Sequence, residues 1–191
     1  RILKKQGKST AFEDIKSFYD THLHPDRMDL NDQNVYKNIF HAGTFAGTFQ
    51  YTESGAQEFC KRVKPTSIID IAVSTSIFRP GPLGAKVDRD YIKARRNPES
   101  IKYLHPIVEE VTKETYGFLI FQEQIAILAH KLGHNISLDE GNQLRKLLTG
   151  KGTAKSAKAI RKIHERFIKG CGEKDISSSD AEKLWKTFEY F

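Results

Sequence analysis

Phe78-Arg79-Pro80-Gly81-Pro82-Leu83-Gly84 follows directly on the apolar run Ile68 to Ile77, and the junction between them decides how this chain is built. Pro80 and Pro82 lack amide hydrogens and fix φ, so no helix continues through them, while Gly81 admits the positive φ of a sharp turn. The pattern predicts a buried helix that starts at Ser67, with Asp70 three residues on in a capping-box-like arrangement, and ends at Arg79. Arg79 then stands on a stiff corner. A guanidinium held in this way suits a phosphate or a carboxylate, because its planar fork loses little entropy on binding. A helix stop with a solvated arginine is the plainer reading of the same residues.

On either side of this corner the chain reads as helices. Phe12, Ile15, Phe18 and Tyr19 recur at helical spacing, so residues 11–20 form an amphipathic helix before the polar break His22-Leu23-His24-Pro25. Asp32 caps a short helix carrying Val35, Tyr36 and Ile39, which ends near Gly43. Thr44 to Tyr51, rich in threonine and aromatics with glycine inside, is the only plausible extended segment, so the chain holds at most one short strand. Val87 to Arg96 is helical up to Asn97-Pro98, and Pro106 opens the next helix through Val111. Phe118 to Leu132 is apolar nearly all round and should be central, with Gly133 closing it. Ser137 starts a helix bearing Leu138, Leu144, Leu147 and Leu148. A basic helix over 155–169 buries Ile160, Ile163 and Phe167 and ends at Gly170. Ser179 and Glu182 make a capping box for a last helix presenting Leu184, Trp185 and Phe188. The fold class is therefore mainly α. No internal repeat or long linker divides it.

Composition narrows the class. A chain of 191 residues with 38% hydrophobic content can form one good-sized core or two small ones. Its mean hydropathy of −0.53 describes a soluble, polar-surfaced protein. No apolar run approaches the ~20 residues that span a bilayer, and the basic N-terminus lacks the apolar stretch of a signal peptide. Cys60 and Cys171 lie far apart and outside any Cys-x-x-Cys pattern, so they suit a reducing cytoplasm as unpaired thiols.

The net charge of +7 and the pI near 9.3 favour a polyanionic partner. The charge is concentrated. Between Arg145 and Lys174 ten cationic side chains face only Glu165 and Glu173. Such a run is often just a solvated face, but one so single-signed points to nucleic acid.

Other constellations carry less. Gly7-Lys8-Ser9 and Gly150-Lys151-Gly152-Thr153 end like phosphate-binding loops, but Ile2 and Arg145 stand where the first glycine is required. His22 and His24 have no companions for a metal site. His130 and His134 are separated by Gly133, which breaks the helix a metal pair would need. Gln122, Glu123 and Gln124, on the most hydrophobic helix, must either find partners or line a cleft.

Read in order, several blocks share a source. They are Gly43 to Gly55 (Gly-Thr-Phe-Ala-Gly-Thr-Phe-Gln-Tyr-Thr-Glu-Ser-Gly), Lys64-Pro65-Thr66-Ser67, the turn at Arg79, Lys113-Glu114-Thr115-Tyr116-Gly117, Phe121-Gln122-Glu123-Gln124 and Leu144-Arg145-Lys146 with Gly150-Lys151. The series resembles the bacterial replicative DNA polymerases of family C, the alpha subunit of DNA polymerase III and its relatives, over roughly residues 27 to 191. The three metal-binding palm aspartates of that family have no counterpart here, and both ends look cut. The resemblance therefore implies a fingers-domain fragment without the catalytic palm, inactive by itself.

On this reading Arg79 and Arg145 are expected at the triphosphate of the incoming nucleotide, with Lys146 and Lys151 as supporting charge, and the cations of the basic helix, Lys155, Lys158, Arg161, Lys162 and Arg166, are expected at the DNA backbone. No catalytic residue and no metal ligand is expected within the chain. Mg²⁺ belongs to the full-length enzyme, outside this fragment. The implied partners are primer-template DNA, deoxynucleoside triphosphates, the palm and thumb of the same polypeptide, and the sliding clamp with other replisome subunits; no membrane is involved. Departures from the family pattern exist. Lys146 replaces a second arginine, Gly152 replaces a lysine, and Gly84-Ala85-Lys86-Val87 is about one residue short. They leave bacterial, phage and plasmid origins open. A stand-alone basic helical module that binds nucleic acid without catalysis is the alternative.

Overall fold

The computed structural model describes residues 2–5, 7, 11–78, 87–150 and 154–188. Helix α1 runs Phe12–His22. Asp32 accepts from the Asn34 amide at 2.8 Å and starts the short pair Gln33–Val35 and Tyr36–His41, the second wound as a π-helix. Helices α2 (Ser54–Val63) and α3 (Ile68–Ile77) follow, then α4 (Val87–Arg96) and α5 (Pro106–Thr112). The C-terminal part consists of α6 (Gln122–Leu132), α7 (Leu138–Thr149), α8 (Ala154–Gly172) and α9 (Ser178–Phe188).

Several helices start where a polar side chain satisfies a first-turn amide. Ser67 Oγ accepts from the Asp70 amide at 3.2 Å. His105 Nδ1 accepts from Ile107 at 3.1 Å just ahead of Pro106. Ser137 and Glu140 close a full reciprocal box, with bonds of 3.1 and 2.9 Å. Helix α6 lacks an oxygen-bearing cap, since Phe121 precedes it. Gln124 does the work instead: its Oε1 accepts from the Ile120 and Phe121 amides, and its Nε2 donates to Val111 O and Thr115 Oγ1. This buried glutamine is a fully bonded bracket between α5 and α6, not part of a cleft.

Three apolar clusters hold the helices. The first joins α5 through α9 around Ile125, Leu128, Leu132, Leu144, Phe167 and Phe188. The second collects Phe59, Val63, Val73, Ile77, Tyr91 and Ile120. The third packs Tyr36, Phe40, Phe45 and Tyr51 against Ala56 and Cys60, with Phe45 and Tyr51 stacked at 5.1 Å. Phe78 touches the second and third clusters and ties them together. Between α2, α3 and α4 a buried ion pair forms, Arg95 Nη2 to Asp70 Oδ2 at 3.0 Å. The same guanidinium donates to Val63 O, Lys64 O and the Tyr116 hydroxyl, so its charge is well solvated by the protein. Cys60 and Cys171 are both buried and unpaired, and burial pushes the Cys171 thiol up to about 11.

Five expectations change. Residues 44–51 form turns rather than an extended strand, because Gly47 and Gln50 take positive φ and no neighbouring strand exists among the described residues. Gly170 does not end α8. It lies inside the helix where α8 crosses the chain after α6, and a Cβ there would sit 2.2 Å from the His134 amide nitrogen. The last helix is capped by Ser177, whose Oγ accepts from the Asp180 amide at 3.1 Å, two residues earlier than Ser179 and Glu182 suggest. The α6 helix begins at Gln122 rather than Phe118. The α3 helix ends at Ile77, and the corner from Arg79 to Lys86 lies outside the described residues.

One of the longer helices behaves unlike the others. No residue of α1 is buried, and Phe12 is 74% exposed, with Ile15, Tyr19 and Leu23 also open on its apolar side.

Candidate nucleic-acid interface

Helix α8 sets the charge of the surface. Ile163, Phe167 and Cys171 enter the first cluster, and Ile160 packs on its edge. Helical geometry then forces the residues between them outward. Lys158, Arg161 and Lys162 are all exposed, at positions i, i+3 and i+4 of one face. Glu165 stands one turn further along the same row, before Lys169. Lys169 lies 3.0 Å from His134 Nε2, and His134 Nδ1 meets Glu173 at 2.8 Å. Lys155 is on the first turn of α8, and its side chain is outside the described residues.

Arg166 belongs to the same helix but faces inward. Its Nη1 contacts Glu140 Oε1 at 2.5 Å and its Nη2 contacts Oε2 at 3.1 Å, a two-pronged pair. It also donates to the carbonyls of His134 and Asn135 in the turn between α6 and α7. The Arg166 guanidinium, aided by the Ser137 amide, holds the Glu140 carboxyl down at about 2. This arginine, expected at the DNA backbone, is occupied in fastening α7 and the preceding turn to α8.

Of the residues expected at the nucleotide, two can be placed. Arg145, on α7, donates to Gln122 Oε1 at 3.2 Å and meets Glu123 Oε1 at 3.3 Å, at the start of α6. Its side chain is one-quarter exposed. Lys146 is the next residue and is exposed. Arg79 and Lys151 lie outside the described residues. The structure therefore brings Arg145 to the Gln122–Glu123 pair, and it places the exposed cations of α8 on a separate helix.

Sequence reading missed the partners of two charged residues. Nothing near Asp70 in the sequence announces Arg95, and nothing near Arg166 announces Glu140; each pair is joined only by helix packing. A groove of about 750 Å³ between α4, the chain after it and α9 was also unforeseen. Lys93, Lys102 and Lys183 border it together with Asp90 and Asp180, so its charge is mixed.

For a divalent cation the described residues are a poor match: no three of their His, Cys, Asp or Glu side chains gather closely enough to hold one. Among the described residues, no helix is long and apolar enough to cross a membrane.

Known proteins are similar to this chain in sequence. A profile described as the bacterial DNA polymerase III alpha subunit finger domain matches residues 9–175. DNA polymerase III subunit alpha of Aquifex aeolicus (strain VF5) is 34% identical over 164 residues, covering 86% of this chain and 14% of that protein. The subunit of the same name from Halalkalibacterium halodurans is 28% identical over 177 residues, 93% of this chain and 15% of the relative. That of Staphylococcus aureus (strain Mu50) is 31% identical over 169 residues, covering 86% and 15%. The chain spans about one-seventh of the length of these relatives. Its helices, its match over 9–175 and these identities place the chain in the family of bacterial DNA polymerase III alpha subunit finger domains.

Proposed function

We propose that this chain is the fingers region of a DNA-directed DNA polymerase and that α8 lies along the DNA backbone. The observation that carries the reading is the exposed row Lys158, Arg161 and Lys162 on a helix whose opposite side is fixed in the core. A helix anchored in this way presents cations at set spacing. Each phosphate they neutralise releases condensed counterions, which favours binding without reading base sequence. Lys155, earlier in the same helix, is proposed to join them at the backbone, and Arg166, spent on Glu140, is left out.

Arg145 takes the incoming triphosphate in this reading, with Arg79, Lys146 and Lys151 as its companions. Glu123 and Gln122 hold the guanidinium in place until the phosphate arrives, and a triphosphate outcompetes one exposed carboxylate by charge. The fingers contribute position and charge neutralisation. The divalent ions, Mg²⁺ in this reading, belong to the palm elsewhere in the longer polypeptide, so the chain alone does not extend a primer. The palm, the thumb, the clamp and the replisome are its proposed surroundings, in the cytoplasm.

The test is equilibrium binding of the chain to a labelled DNA duplex. Reversing Lys158, Arg161 and Lys162 to glutamate should abolish measurable binding while the helical content stays unchanged. Retained affinity in a folded triple variant would move the DNA to another surface. In the full-length polymerase, Arg145→Ala should raise the nucleotide KM and lower kcat, by on the order of 10²-fold for a lost preorganised donor. Weakened DNA binding with unchanged nucleotide kinetics would instead put Arg145 on the template side.

A further inference from the structure

A pocket of about 340 Å³ opens where α2 ends against α4. Arg62 and Val63 close the last turn of α2, and Lys64 follows as its C-cap. Ile92, Arg95 and Arg96 lie at i, i+3 and i+4 of α4, so one face of that helix brings all three to the pocket. Val63 and Ile92 are buried in the second cluster and form an apolar floor. The other four lining residues are cationic, and no carboxylate lines the pocket.

The four cations are not equivalent. Arg95 is spent inside the protein: it donates to Val63 O, Lys64 O, Tyr116 and Asp70, and so fixes the end of α2 to α4. Arg62 is half exposed and meets Asp88 through one nitrogen at 3.3 Å. Lys64 and Arg96 are exposed, and neither side chain has an ion pair or hydrogen bond among the described residues.

Cations at helix ends commonly complement the helix dipole, and Arg95 does so by bonding the last carbonyls of α2. Lys64 is different. Its φ of 52° lies in the left-handed region, where glycine alone carries no steric cost. The backbone bonds at this position, its amide to Cys60 O and its carbonyl from Arg95, would serve a glycine equally. What a glycine lacks is the ammonium that Lys64 brings to the same pocket as Arg62 and Arg96. Like charges gathered in this way repel one another until an anion sits among them. Guanidiniums meet phosphate oxygens with a planar fork, and an ammonium meets them as a point charge.

We infer that this pocket binds the phosphate of a sugar–phosphate unit, held by Lys64 and Arg96 with Arg62 in support, and with the sugar over Val63 and Ile92. The phosphate belongs either to a DNA strand or to a free nucleotide; only that choice of source rests on the polymerase reading. The pocket shares no residue with α8 or with the contacts of Arg145 to Gln122 and Glu123.

An NMR titration of the chain with deoxyribose 5-phosphate tests the site, at a physiological ionic strength that screens charges more than ~8 Å apart. Saturable shifts should centre on the amides of Val63, Lys64, Ile92 and Arg96. Lys64→Gly/Arg96→Gln should weaken binding about tenfold or more, the loss expected for charge-assisted hydrogen bonds. Lys64→Gly alone should weaken binding while Tm holds or rises, because glycine relieves the left-handed backbone. Lys37→Gln/Lys186→Gln removes the same charge from exposed positions elsewhere and should bind as the wild type does. Absence of saturable shifts at the pocket amides overturns the proposal. So does unchanged affinity in Lys64→Gly/Arg96→Gln, or an equal loss in Lys37→Gln/Lys186→Gln, which would make net charge the cause. Competition assigns the source: displacement by single-stranded DNA at a lower phosphate concentration than by dATP indicates a DNA strand, and the reverse order a nucleotide. The variant reversed at Lys158, Arg161 and Lys162 should keep its affinity for deoxyribose 5-phosphate. Loss of DNA binding in that variant therefore reports on α8, and loss of the sugar phosphate in Lys64→Gly/Arg96→Gln reports on the pocket.

Discussion

Helices α1 and α8 carry the same kind of pattern, apolar residues at helical spacing on one side and charge on the other, yet they end in opposite situations. Helix α8 sinks Ile163 and Phe167 into the largest cluster and shows its cations to solvent. Helix α1 buries nothing and shows Phe12, Ile15 and Tyr19 to solvent. Periodicity says that a helix has an apolar face. It does not say that the same chain supplies the surface that covers it. For α8 the pattern becomes a core where α5, α6, α7 and α9 converge, and its polar side thereby acquires a fixed direction.

That contrast can be broken most sharply in the core. Phe167→Ala removes a ring with no exposed surface and should destabilise the chain by ~3–5 kcal/mol in urea unfolding. Phe12→Ala should change stability by less than ~0.5 kcal/mol, because the ring is already in water. Equal losses at the two sites would mean that α1 is covered after all.

Gly170→Ala probes the crossing that anchors α8. The new Cβ would meet backbone at 2.2 Å, which cannot yield as a side-chain tip would, so ~1–3 kcal/mol should be lost. A gain in stability, the usual outcome of Gly→Ala in an unhindered helix, would show that the crossing is looser than described.

The Glu140–Arg166 pair sharpens the comparison by pH. Glu140 titrates at about 2 when folded, against an ordinary value near 4.5. A depressed folded value means that its stabilisation is present above pH 4.5 and is lost as the pH falls from 4.5 toward 2. Both side chains are about one-third exposed, so solvent screening should hold the effect to about 1 kcal/mol. Unfolding measured against pH should show this loss in the wild type and a flatter profile in Glu140→Gln. Identical profiles would remove the pair from the forces that fix α8.

Much of this was legible in the sequence because it is local. Asp32, Ser67, His105 with Pro106, and Ser137 stand beside the amides they satisfy, and the helix starts follow from them. Three adjacent serines, Ser177 to Ser179, blurred the last start, since two of them precede an acidic residue by three positions. Gly170 read as a stop because the true reason for a glycine, another chain pressing on the helix, is not local. The aromatics of 44–51 suggested a strand, but Gly47 and Gln50 turn the backbone so that Phe45 and Tyr51 stack on each other. The candidate site was legible in part. Charge density located α8, and burial of Ile163 and Phe167 oriented it, but charge alone could not separate Arg166 from Lys158, Arg161 and Lys162. What separates them is a carboxylate 26 residues upstream that only the packing of α7 on α8 brings near.

The salt dependence of DNA affinity tests the central claim most directly. If Lys158, Arg161 and Lys162 each neutralise one phosphate of duplex DNA, replacing all three by alanine should reduce the slope of log affinity against log salt by about 2.7, at ~0.9 per phosphate. Their exposure predicts that stability changes by less than ~0.5 kcal/mol in the same variant. A reduced slope in an equally stable chain is the predicted result. An unchanged slope would contradict the account, because the cations that the core of α8 holds outward would then have no part in holding DNA.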